Sequence, residues 1–158
     1  MEINIPDKKG TYALIFRLER NKSLTVGKLG RFLFRKGFYI YVGSAQGPGG
    51  LKGRINHHQN YCNKPHWHID YLRTICNIED IWVQRGQINH EHRWASFLKK
   101  SQTDQILIRG FGSSDCSCLT HLFYFPNILK KSRFQEFVET DVESVHFKKL
   151  AKREKSKR

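Results

Sequence analysis

Long apolar runs are missing from this sequence. No apolar run among its 158 residues approaches the ~18 positions that span a bilayer, so a transmembrane helix is excluded. The first ten residues hold Pro6, Asp7, Lys8 and Lys9 in place of the apolar core of a signal peptide. Cysteine is scarce. Cys62, Cys76, Cys116 and Cys118 are too few for a disulfide scaffold, and a reducing cytoplasm is the expected compartment. Acidic residues are scarce as well, 14 Asp and Glu against 28 Lys and Arg. The loop at 43–50 is rich in glycine but has neither the Walker nor the dinucleotide spacing, which excludes those two phosphate cradles. There is no internal repeat and no linker.

What is present is aromatic and basic. With Trp 3, Tyr 6 and Phe 11, the chain carries too many large apolar side chains to be disordered. One domain of this length buries roughly 70% of its unfolded surface and needs no disulfide. The net charge is +14. Residues 148–158 contain seven Lys or Arg and one Glu, which leaves +8 on the rest, so the basicity is not confined to the end of the chain. Such a field attracts polyanions, nucleic acid ahead of acidic membrane surfaces. The expected organisation is one domain over 1–140 and a flexible basic tail over 141–158. Lys52, Lys148, Lys149, Lys152 and Arg153 are the expected DNA contacts, and no membrane partner is expected.

The pattern of apolar residues predicts an α+β fold, a small antiparallel or mixed sheet flanked by helices. Strands are expected at 11–18, 24–26, 31–34 and 38–42, as an antiparallel meander. A helix over 51–60 follows, then one starting near Pro65 and carrying Ile69, Leu72, Ile75 and Cys76. Next come a strand over 78–84 and a helix capped by Asn89 that runs to about 100, with Trp94, Ala95, Phe97 and Leu98 inward. Strands at 105–108 and 121–125 and a helix over 129–139 complete the set.

Five residues stand out for chemistry. Gly10-Thr11-Tyr12 opens the first strand and Tyr41-Val42-Gly43 closes the fourth. Arg54 and His58 share one helix face at i, i+4, beside the apolar Leu51 and Ile55. Glu91 lies on the stripe that continues through Trp94, Ala95 and Leu98, where an acid is costly unless it is paired or binds metal.

In this order and on these elements, the residues resemble the GIY-YIG nuclease superfamily. Both tripeptides depart from the family in their middle residue. Tyr12 and Tyr41 are also 29 positions apart, which implies an extra β-hairpin between the two motif strands. The resemblance is closer to a small prokaryotic branch of that superfamily, found alone or beside an endonuclease III-type DNA glycosylase. Its landmarks look like Tyr41-Val42-Gly43-Ser44-Ala45, Gly49-Gly50-Leu51, Arg54, His66-Trp67-His68-Ile69-Asp70-Tyr71, Phe111-Gly112-Ser113-Ser114-Asp115-Cys116 and His121-Leu122-Phe123-Tyr124-Phe125.

The resemblance implies a metal-dependent DNA endonuclease that hydrolyses phosphodiester bonds in repair or processing. It would act on duplex or branched DNA as a cytoplasmic, nucleoid-associated monomer, with a functional link to a DNA glycosylase. Glu91 would hold one Mg²⁺ or Mn²⁺, Arg54 would grip the scissile phosphate, and Tyr12 would take a proton from the attacking water. Tyr41 would orient water or phosphate, and His58 would support either tyrosine or shuttle the proton. For Tyr12 to act at neutral pH its pKa must fall, an effect expected from Arg54, His58 and the ion. The family also uses a late Asn, for which Ser114 and His121 are the candidates here. The alternatives are a catalytically inactive nucleic-acid-binding module on the same fold and a thiol–metal interaction protein.

Two further clusters have open readings. Cys116-x-Cys118-x-x-His121 offers three soft ligands for zinc, tightly spaced and without a fourth, against buried thiols beside a strand. His66, His68 and Asp70 are either a second metal set or a hydrogen-bonded brace lining the cleft. Trp67 between them either stacks on a base or belongs to the core.

Overall fold

In a computed structural model, described here at residues 8–60, 64–102, 108–113, 118–138 and 142–145, the centre of the fold is strand β1, Gly10–Leu18. Its side chains alternate between two buried faces. Tyr12, Leu14, Phe16 and Leu18 enter one core, and Ala13 and Ile15 enter the other. A strand apolar on both sides needs neighbours on both edges and cover on both faces. Strand β4, Gly37–Ala45, and strand β5, Asn77–Arg85, flank it, both antiparallel. Strand β6, Leu122–Phe125, extends the sheet beyond β4, and the two-residue β7, Glu143–Ser144, beyond β5. The order is β6-β4-β1-β5-β7.

The expected meander is corrected at this point. Strands β2, Lys22–Val26, and β3, Gly30–Phe34, pair only with each other, while β1 pairs directly with β4. Most positions of β2 and β3 are exposed or half-buried. A hairpin with that pattern cannot replace a doubly covered central strand, so it stands apart as the inserted hairpin anticipated from the tyrosine spacing.

Helix α1, Gly50–Gln59, and the short α2, His68–Leu72, cover the Tyr12 face. Helices α3, Glu91–Ser101, and α4, Lys131–Val138, cover the other, where the Phe134 ring meets those of Trp82, Trp94 and Phe97. The α2 helix begins at His68, three residues after Pro65. The Asp70 carboxylate accepts the backbone N–H groups of His66 and Trp67 at 3.0 and 2.9 Å, which holds them in a capping turn. Ile75 and Cys76 follow in the turn that ends the helix.

The folded body also continues past residue 140. Val142 and Val145 are buried, Glu143 pairs with Val83 across β5 and β7, and its carboxylate meets Arg85 at 3.0 Å. The strand expected at 105–108 falls mainly on residues outside the described set, as does the basic segment 148–158. Among the described residues no helix is long and apolar enough to cross a membrane.

Candidate active site

Three glycines let the tyrosines and α1 press against the sheet. Tyr12 sits opposite Gly43 in the β1–β4 register, and a methyl on Gly43 would lie 2.4 Å from the Tyr12 phenol. Gly112, held at φ +67°, makes the same room for Tyr41, whose ring would come within 2.7 Å of a Cβ there. Gly10 admits Leu51 of α1 at 2.6 Å from its own missing Cβ. Gly43 therefore makes room for Tyr12, and Gly10 for the helix that carries Arg54 and His58.

The start of β1 and the ends of β4 and β5 lie at the same end of the sheet. Tyr12 Oη lies 2.8 Å from His58 Nε2 on α1. Tyr41 meets the His58 ring edge-on, with centroids 6.3 Å apart. One turn before His58, the Arg54 guanidinium stands 4.6 Å from the centre of the Trp67 ring, and His57 meets that ring edge-on at 4.4 Å. Trp67 is half-buried. It belongs neither wholly to the core nor to an open stacking surface, because Arg54 and His57 occupy it.

Glu91 approaches from the other side of the sheet. It is the first residue of α3, which packs on the face opposite α1. The helix start is drawn to the sheet end where Thr11 Oγ1 accepts the His90 backbone N–H at 3.0 Å, one residue from Tyr12. Asn89 Oδ1 accepts the Glu91 N–H at 2.9 Å, although His90 occupies the cap position itself. Glu91 lies close enough for its charge to raise the pKa of both Tyr12 and Tyr41. Tyr12, Tyr41, Arg54, His58 and Glu91, spread over 79 positions, thus converge at one end of the sheet.

The electrostatics reverse one expectation. Burial, then the neighbouring Tyr41, with Glu91 and Asp70 adding to them, holds the Tyr12 phenol well above its ordinary value, and only Arg54 opposes. Burial and Glu91 do the same to Tyr41. Sequence alone weighs the nearby cations and misses the loss of water around a 2% exposed phenol. Burial, and then His57, lowers His58 to about 3. Its Nδ1 is buried with no hydrogen-bond partner among the described residues, so a charged ring would be poorly solvated. Glu91 is different. Burial pushes it up, but the hydrogen bond and charge of His121 outweigh this and leave the carboxylate ionised below its usual range.

His58 makes stability pH-dependent in a stated direction. Its unfolded pKa is near 6.5 and its native value about 3, so the unfolded chain binds the proton first as pH falls. The stabilisation is complete above ~6.5 and drains away toward pH 3. Burial lowers His68 in the same sense. Urea unfolding at pH 7 and 4.5 should differ by on the order of 2 kcal/mol from His58 alone, and the difference should shrink in His58→Gln. An unchanged pH dependence in that variant would show that His58 is not the group being protonated.

The residues around Asp70 form a brace. Beyond its two backbone bonds, Asp70 meets His57 Nε2 at 3.2 Å. His68 Nδ1 accepts the Gly112 N–H at 2.9 Å, which ties α2 to the turn behind Tyr41. His66 is exposed and lies beside Trp67. Lys52 is exposed on α1. Ser114 and Cys116, together with Lys148, Lys149, Lys152 and Arg153, lie outside the described residues.

His121, one of the two candidates for the late-Asn role, lies beside Glu91. It is buried, its backbone C=O accepts the Val42 N–H, and its Nδ1 lies 2.8 Å from Glu91 Oε1. Cys118 and His121 do come together as the soft-ligand reading required, but their described companion is His92, which that reading missed. His92 had one sequence signal, its place next to Glu91 in the first turn of the helix.

Neither the curated proteins nor the solved structures include a match to this chain. The model of one family, described as a domain of unknown function, DUF123, matches residues 11–144, from the first motif strand to the last short strand. The chain is a member of the DUF123 family.

Proposed function

We propose that the protein is a metal-dependent DNA endonuclease of the GIY-YIG superfamily, working in the cytoplasm on chromosomal DNA. The convergence of Tyr12, Tyr41, Arg54, His58 and Glu91 at one sheet end carries this reading, because nothing local in the sequence forces them together. The donor chemistry fits a hard divalent ion. Glu91 is ionised and offers carboxylate oxygen, which suits an ion that keeps most of its waters. Glu91 would hold Mg²⁺ or Mn²⁺, and the ion when bound would stabilise the leaving 3′ oxygen.

The protein's own groups supply the remainder. Arg54 presents a planar fork to the scissile phosphate, steadied from behind by Trp67. Tyr12 is protonated at neutral pH and neutral His58 stands at 2.8 Å, so the pair acts as a relay. The phenol oxygen takes a proton from the attacking water while its own proton passes to His58 Nε2. Tyr41, protonated as well, donates to water or to a phosphate oxygen. The basic surface, including Lys52, draws the polyanion in.

A second reading, a binding module without catalysis, is favoured by one observation. His58, at about 3, is a weak proton acceptor. Incubating supercoiled plasmid with the full chain separates the two. The endonuclease yields nicked circles with Mg²⁺ and none in EDTA. DNA binding without nicking in either condition leaves the binding module.

A further inference from the structure

We propose that His92, Cys118 and His121 form a second metal site, which takes zinc. Their donor atoms all lie within 4.8 Å of one another, and His92 Nδ1 is 2.9 Å from Cys118 Sγ. The two imidazoles meet edge-on with centroids 6.2 Å apart, close enough to share one ion. The residues come from separate parts of the chain, the first turn of α3 and the segment that enters β6. A thiolate with two imidazoles suits a borderline-soft divalent ion and is a poor match for Mg²⁺, which prefers oxygen.

Glu91 supplies the observation that turns a cluster into a site. Its Oε1 lies 2.8 Å from His121 Nδ1, so the carboxylate holds that ring in place beside Cys118 and His92. A carboxylate orienting a histidine in this way is the usual outer support of a zinc ligand. His121 is buried, Cys118 half-buried and His92 exposed, so the site opens to solvent and an ion can enter. Three protein ligands leave the fourth position for water or another donor. The ion would pin the start of α3 to the chain entering β6 and thereby fix the position of Glu91. The inference does not depend on nuclease activity.

The test uses full-length protein purified without an affinity tag, stripped of metal and titrated with Co²⁺ as a spectroscopic probe for zinc. One equivalent should bind, with tetrahedral d–d bands and a thiolate charge-transfer band, and Zn²⁺ should displace it. Cys118→Ser should remove the charge-transfer band, and Cys76→Ser, altering a buried thiol in the Tyr12-face core, should keep it. His92→Ala, at an exposed helix position that folding tolerates, should weaken binding. Glu91→Gln should keep the spectrum and lower affinity by about 10- to 100-fold. Failure to bind one equivalent, or a charge-transfer band that survives Cys118→Ser, overturns the proposal. Because no DNA is present, a negative plasmid assay and a negative cobalt titration are separate results.

Discussion

Tyr12→Phe is expected to lower Mg²⁺-dependent DNA cleavage by about 10²–10⁴-fold, the range for loss of a general base. DNA affinity and fold should be kept. The phenylalanine ring retains the packing over Gly43, since only the hydroxyl is lost. The stability cost should be about 1 kcal/mol, for one buried hydrogen bond to His58. His58→Ala should lower cleavage by a similar factor, and adding it to Tyr12→Phe should cost little more, because a relay is lost once. Single-turnover cleavage measures the factor, and fluorescence anisotropy measures binding. Wild-type rates in Tyr12→Phe would remove the relay from the mechanism. Multiplying losses in the double variant would show two independent roles.

The sequence made the sheet readable wherever a strand was buried on both faces. Residues 11–18 and 38–42 are dense in β-branched and aromatic side chains, and both became central strands. The pairing of those strands was less accessible, because register and neighbour choice are long-range properties that short periodicity does not carry. That is why β2 and β3 were read into a meander with β1 and β4. The start of α2 was hidden for a local reason. Proline at 65 suggests a first turn, but the Asp70 side chain captures two backbone donors ahead of the helix. The two-residue β7 has no period to detect.

The candidate site divides in the same way. Tyr12, Tyr41, Arg54, His58 and Glu91 could be picked out because each sits at a marked place on its element. The protonation of the tyrosines could not, since it sums burial and charges contributed by several elements. The one sequence signal of His92 is its place beside Glu91. It is an exposed helical histidine in sequence, and only the return of the chain at Cys118 and His121 gives it a partner. Trp67 was visible as an aromatic residue, but its role beside Arg54 follows from α1 and α2 lying on the same face of the sheet.

That contact leads to the second large effect. Arg54→Lys should lower cleavage by roughly 10²–10³-fold, in line with removing one preorganised donor from a charge-stabilising site. The positive charge survives the change, so a purely electrostatic role predicts near-normal activity. What is lost is the planar fork that would bind two phosphate oxygens and that stands 4.6 Å over the Trp67 ring. Nonspecific DNA affinity and its salt dependence should stay close to wild type, because one charge has replaced another. Trp67→Leu tests the support separately. Losing a cation–π contact costs about 0.5–2 kcal/mol, or roughly 2- to 30-fold. Trp67→Phe should recover part of the loss, because an aromatic face is restored. If Arg54→Lys cleaves as the wild type does, Arg54 serves as a charge alone and the geometry at Trp67 has no catalytic consequence. If it fails while Trp67→Leu is silent, the fork is needed but α1 alone is enough to aim it.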